Sequence, residues 1–257
     1  MIIMKRSILA ILLLTFGGTV TAQQLPQFTQ FHRNQYITNP AAAGLYDFID
    51  ITASSRWQWA GFENAPMTLY LAGSSPIGRK GTRPMYNPSL RVSSRGPIRN
   101  PQIKTGSIKH AVGGTVMVDQ YGAFRRMHFN GTYALHLPVA RDYNLSMGVN
   151  VGMANNAFLR DKIELLQQND ATFDSYVSDG TNKFFLDIGA GLLFYSDQLF
   201  VGISADQLTK DFVSFGNAST YFQQLMHFKF NAGYKIPVSE EWTIQPSALV
   251  KFMRPAP

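Results

Sequence analysis

Long runs of strict two-residue alternation dominate the chain. Met127, Phe129, Gly131, Tyr133, Leu135 and Leu137 alternate with His128, Asn130, Thr132, Ala134 and His136. The next run sets Tyr143, Leu145, Met147, Val149, Val151 and Met153 against Asn144, Ser146, Gly148, Asn150 and Gly152. Met226, Phe228, Phe230, Ala232, Tyr234 and Ile236 alternate likewise with His227, Lys229, Asn231, Gly233 and Lys235. A side-chain period of two predicts β-strands. These runs are ten to twelve residues long, against about five or six for an ordinary strand. Eleven residues rising about 3.3 Å each and tilted about 40° span roughly 28 Å, which matches a lipid-facing band about 25 Å tall.

Nine strands are expected, at 49–58, 66–74, 109–118, 126–137, 142–153, 184–195, 198–206, 226–236 and 242–252. Phe184 and Phe194 bracket one of them, and Trp242 and Phe252 another, where aromatic girdles belong. Pro246 falls inside the last and suits only an edge or a bulge. A soluble barrel or sandwich alternates too, but its polar face meets water and carries many Lys and Glu. Here that face is mostly Asn, Ser, Thr, Gly and Ala, the mild lining of a lumen. The pattern predicts an all-β fold: a transmembrane antiparallel outer-membrane β-barrel over 49–257. Single-chain bacterial barrels have an even number of strands. The sequence stops at Arg254-Pro255-Ala256-Pro257, so the closing strands are expected to be missing.

The start of the chain gives the compartment. Lys5 and Arg6 precede an apolar run from Ile8 to Phe16, then small residues lead to Ala22. This is the form of a secretory signal peptide over 1–22, with the mature protein starting at Gln23. The apolar run is about half of what a spanning helix needs, and no later segment is long enough. With no cysteine in the chain, lipidation, disulfides and thiolate metal sites drop out together. Charged residues make up 15 %, against roughly 25 % in an average soluble domain. An exported barrel in a Gram-negative outer membrane fits all of these.

Short turns at Pro138–Asp142, Ser196-Asp197 and Pro237–Glu241 fall on one side by strand parity, taken as periplasmic because barrels keep short turns there. Asp119–Arg125, Asn155–Lys183 and Gln207–Leu225 then lie outside, with one or two helical turns possible at Arg160–Gln168. Parity also assigns the connection 75–108 to the periplasm. It holds Arg79, Lys80, Arg83, Arg91, Arg95, Arg99 and Lys104 and no acidic residue. These seven cations, with Lys5 and Arg6, leave −2 for the remainder of a chain whose net charge is +7. Such a loop is either a docking surface for an acidic partner, lipid A or cell-wall material, or a solvated loop without a specific partner. Nucleic acid is not expected in that compartment.

Ahead of the first strand, within 23–48, Gln27-Phe28-Thr29-Gln30-Phe31 alternates polar and aromatic residues. Asn39-Pro40-Ala41-Ala42-Ala43-Gly44 reads as one capped helical turn, with Asn as N-cap, Pro at the first position and Gly at the end. Such a segment could sit in the barrel mouth as a plug, or be a structural turn only. Pro26-Gln27-Phe28-Thr29-Gln30, Asn39-Pro40-Ala41-Ala42-Ala43-Gly44 and Arg56-Trp57-Gln58-Trp59-Ala60-Gly61-Phe62-Glu63-Asn64-Ala65-Pro66 together resemble the PorP/SprF family of type IX secretion and gliding proteins. The third block is the most specific. Lys251-Phe252-Met253-Arg254-Pro255-Ala256-Pro257 resembles a late family segment that leads into further strands. Trp59 and the size of the basic loop depart from the family pattern. The resemblance implies a non-enzymatic barrel whose partners are periplasmic secretion components or a large surface adhesin. Its motif residues Gln27, Phe28, Asn39, Pro40, Gly44, Arg56, Trp57, Trp59, Gly61, Phe62 and Pro66 become candidates for partner binding.

Signs of an enzyme are sparse. There is no His-Glu-x-x-His, no Gly-x-Ser-x-Gly and no phosphate-binding loop. His128 and His136 lie eight residues apart on one strand, roughly 26 Å at about 3.3 Å per residue, too far to share a metal ion. His227, Asn231 and Ser247 are the conceivable hydrolase set. Asp187, Asp206, Lys229, Lys235 and Lys251 face the lumen and are expected to pair across it or to tune a pore. No cofactor is expected. A passive or substrate-specific channel is the alternative to a secretion component.

Overall fold

The computed structural model describes residues 31, 34–62, 64–78, 105–159, 162, 182–209, 214–215, 226–239 and 242–254. In chain order its strands are β1 Asp50–Trp57, β2 Met67–Ile77, β3 Lys109–Tyr121, β4 Phe124–Ala140, β5 Tyr143–Phe158, β6 Asn182–Tyr195, β7 Leu199–Asp206, β8 Ser214–Phe215, β9 Met226–Tyr234, β10 Ile236–Pro237, β11 Thr243–Ile244 and β12 Ser247–Arg254. The nine long strands pair as neighbours in the order β1-β2-β3-β4-β5-β6-β7-β9-β12, and β8 adds a short pairing to β6. Every pairing is antiparallel. Long strands arise where two-residue turns let the ladder run on. Gly122-Ala123 joins β3 to β4, and Arg141-Asp142 joins β4 to β5. β4 therefore reaches 17 residues, roughly 43 Å at the usual rise and tilt, and overshoots the lipid band.

Apolar side chains face out and polar ones face in. Phe129, Val149, Val151, Met153 and Ile203 are exposed, whereas His128, Asn130, Thr132, His136, Asn144 and Ser146 are buried. In water such a surface would be a liability. On a membrane barrel it is the lipid-facing wall. The sheet curls around the N-terminal segment, which is hydrogen-bonded from one face to β2, β3, β4, β5, β6 and β7. β1 and β12 end the strand order and are not paired to each other among the described residues.

The expected single strand 242–252 is corrected. It breaks into β11 and β12 at Gln245-Pro246, because Pro246 has no N–H for a ladder; its carbonyl still accepts from the Tyr234 N–H at 3.1 Å. The run 226–236 also splits at Lys235, whose N–H turns to the Gln198 carbonyl at 2.7 Å. β10 and β11 then form a separate two-stranded hairpin. Near the end of β4 the register slips between Pro138 and Ala140, a bulge with the same cause. The signal segment 1–22, Gln27, Phe28, the seven loop cations and (Lys162 aside) the turns at Arg160–Gln168 lie outside the described residues.

Val151 sits mid-strand on the exposed outer face. Val151→Arg is expected to destabilise the barrel by about 2–4 kcal/mol, read by urea unfolding from lipid vesicles.

Candidate functional site

The interior of the curled sheet is filled by the chain's own N-terminal segment. Two 3-10 turns, Gln35–Ile37 and Pro40–Ala42, form locally because each has an asparagine cap. Asn34 Oδ1 accepts from the Ile37 N–H at 3.3 Å, and Asn39 Oδ1 from the Ala41 N–H at 2.9 Å. Proline at the first position costs no hydrogen bond, since that N–H has no partner in such a turn. Gly44 takes φ 66°, a left-handed conformation that suits glycine.

So short an element leaves its carbonyls without helical partners, and the wall supplies them. Ser146 Oγ donates to Ala41 O at 2.6 Å, Ser204 Oγ to Thr38 O at 2.7 Å and Lys109 Nζ to Leu45 O at 2.9 Å. His136 Nε2 lies 2.9 Å from Ala43 O. A carbonyl cannot donate, so Nε2 carries the proton. Nδ1 then accepts from the Tyr195 hydroxyl at 2.9 Å, which in turn accepts from Asn144 Nδ2 at 3.2 Å. In the other direction, Asn39 Nδ2 donates to Leu192 O at 2.9 Å and Ile203 O at 3.3 Å, tying the segment to β6 and β7. Tyr36 donates to Thr132 Oγ1 at 2.8 Å. Burial holds its phenol above the ordinary pKa, so it remains a donor at neutral pH.

Close approach is bought with glycine. A Cβ on Gly148 would overlap the backbone of Pro40 and Ala41. On Gly191 or Gly202 it would meet the Asn39 amide, and on Gly113 the Tyr36 hydroxyl. Ala41 and Ala43 are 0 % exposed. The glycines of the polar strand faces are thus the seat of the segment.

A charged cluster faces the remaining space. His128 Nδ1 and Asn130 Nδ2 both reach Asp187 Oδ2 at 3.3 Å. Lys229 pairs with Asp206 on the neighbouring strand β7, a contact along the wall and not the expected pairing across the lumen. Thr68 donates to Asp119 at 2.6 Å. Between this cluster and the N-terminal segment lies a cavity of about 110 Å³. The conceivable hydrolase set does not assemble. Ser247 stands opposite Gly233, six residues from His227 along β9, roughly 20 Å at the usual rise.

The family model described as "Type IX secretion system membrane protein PorP/SprF" matches residues 20–257. The chain belongs to the PorP/SprF family. Comparison with curated proteins and with solved structures returns no match.

In this PorP/SprF chain the motif residues occupy two separate places. Asn39, Pro40 and Gly44 are brought together inside the lumen, where they shape and seat the segment. Arg56, Trp57, Trp59, Gly61, Phe62 and Pro66 lie at the far end of β1 and in the β1–β2 connection. Trp57 is 69 %, Trp59 72 % and Phe62 77 % exposed. The connection is closed by the Gln58 N–H on Pro66 O at 2.9 Å and the Phe62 N–H on Trp59 O at 3.1 Å. Trp59 and Asn64 take left-handed φ of 52° and 53°, and Gly61 takes 104°.

Tyr36, His136, Ser146, Ser204 and the Asp187 cluster were not among the sequence candidates for partner binding. Parity assigns most of them to the inward face, but nothing local says which of them touches Asn39 or Ala43.

Gly148→Val is expected to unseat the segment at a cost of about 1–3 kcal/mol. Protease should then cut within 34–45 of the folded barrel, whereas the native protein resists.

Proposed function

We propose that this PorP/SprF protein is a non-enzymatic outer-membrane component of type IX secretion that anchors, or helps deliver, a surface adhesin or another secreted protein. The occupied lumen carries this reading. A conduit needs an open path, whereas here Asn34 to Leu45 is buried, the half-buried Gln35 and Ile37 aside, and bonded to six strands. A lumen filled by its own chain is suited to hold partners at its ends.

The two ends differ in what they offer. At one, Trp57, Trp59 and Phe62 present an exposed aromatic surface, the residue types that anchor interfaces. At the other, the connection 75–108 brings Arg79, Lys80, Arg83, Arg91, Arg95, Arg99 and Lys104 with no acidic residue. We take that end as periplasmic and the loop as the dock for an acidic periplasmic partner, whose approach the unopposed charge would accelerate. Export by the 1–22 segment and cleavage before Gln23 complete the route to the membrane.

Purification of the full-length protein from its native outer membrane in mild detergent tests this reading. Periplasmic secretion components or a large surface protein are expected to co-purify. Reversal of the seven loop cations to glutamate should lose the periplasmic partner while leaving the barrel folded. Recovery of the barrel alone, with solute-selective conductance in planar bilayers, would instead establish a channel.

A further inference from the structure

The cavity between the N-terminal segment and the wall is larger than a structural water site. A single buried water needs about 10–15 Å³ of such space, and about 110 Å³ is present. That is room for several waters or for one molecule of amino-acid size. Tyr36, Ile37 and Thr38 line it from the segment, and Thr132, Asn150 and Asp187 line it from the wall.

Its two ends have opposite chemistry. At the inner end, Asp187 has a side chain only 6 % exposed. Both of its described bonds, to His128 and Asn130, use Oδ2. Asp187 Oδ1 has no hydrogen-bond partner, and neither have Asn130 Oδ1, Asn150 Oδ1 and His128 Nε2. The two amide oxygens rest over Gly152 and Gly189, where a Cα–H is at best a weak donor. With Nδ1–H directed at the carboxylate, the neutral His128 ring offers Nε2 as a fourth acceptor. Buried acceptors without donors are rare and costly in folded proteins, so this end calls for a donor group. A metal ion is a poor candidate, because no group of three or more His, Cys, Asp or Glu converges among the described residues.

At the outer end the balance reverses. Lys229 and Lys251 stand directly opposite each other across β9 and β12, a like-charge pair that destabilises a sheet. Asp206 is taken up by Lys229. Lys251 also lines the cavity and is exposed there, so two lysines face one aspartate and the net positive charge of this end suits an anion.

We propose that the cavity is a binding site for a small zwitterion, an α-amino acid or a short peptide carrying both an ammonium and a carboxylate. The ammonium would donate to the Asp187 carboxylate, and the carboxylate of the ligand would meet Lys251 beside Lys229. Bonds of this kind, with both partners charged, are the strong ones. Because Tyr36, Ile37, Thr38 and Pro40 of the N-terminal segment line the site together with the wall, an occupant there also tightens the docking of the segment.

Equilibrium dialysis of the full-length detergent-solubilised protein against radiolabelled L-alanine, and in parallel L-alanyl-L-alanine, decides the matter. Saturable binding of one ligand per chain is expected for at least one of the two. A preference for the first points to a free amino acid, and for the second to a peptide. Ethylammonium and acetate, each carrying one charge only, should compete at least tenfold more weakly. Asp187→Asn, which keeps the shape of the side chain, and Lys251→Met should each weaken binding at least tenfold. Circular dichroism confirms that both variants remain folded. No saturable binding of either zwitterion, competition by the single-charge probes at equal strength, or affinity unchanged in both variants would overturn the proposal and leave the cavity to water.

Discussion

A backbone surrounded by lipid has no water to satisfy its amides, so every N–H and C=O in the apolar layer must find a partner within the protein. The seven long strands between β1 and β12 meet that demand by pairing with neighbours on both sides, and the rest of this structure follows. The ladder forces a side-chain period of two, and lipid on the convex face sorts it. Phe129, Val149, Val151 and Ile203 go out, and Asn130, Ser146, Gly148 and Ser204 go in. Strand order by sequence, β1 to β7 then β9 and β12, needs no long crossover.

Sorting creates a second problem on the concave face. A lining of glycine, serine and asparagine is too small to fill the interior, and its polar groups need partners. The N-terminal segment solves both at once. Its second turn, Pro40–Ala42, is rich in alanine, and with its Asn39 cap it packs against Gly148, Gly191 and Gly202. Its unpaired carbonyls are what Ser146, Ser204, Lys109 and His136 require. Polar wall and polar turn thus satisfy each other, and a larger residue at a seat glycine breaks both sets of contacts.

How much of this was legible depended on the distance over which the signal acts. β4, β5, β6 and β9 announced themselves because alternation is local and long. The turn at Asn39–Gly44 was readable for the same reason, since an asparagine cap, a first-position proline and a terminal glycine act over six residues. The ends of β9 and β12 were misread. Alternation continues through Lys235 and Pro246, but hydrogen bonding does not. The address of the turn was not readable either, because Asn39 meets residues more than 150 positions away. The family motif looked continuous in its role and proved to be divided between the lumen and an exposed aromatic connection.

Hydrogen–deuterium exchange on the protein in native outer-membrane vesicles addresses the seated segment most directly. The amides of 34–45 are expected to exchange as slowly as those of β4 and β5, because they are buried against the wall and their turns are held by it. Exchange of that stretch within seconds, while the strands stay protected, would mean that the lumen is not filled by the chain's own start. It would contradict the account.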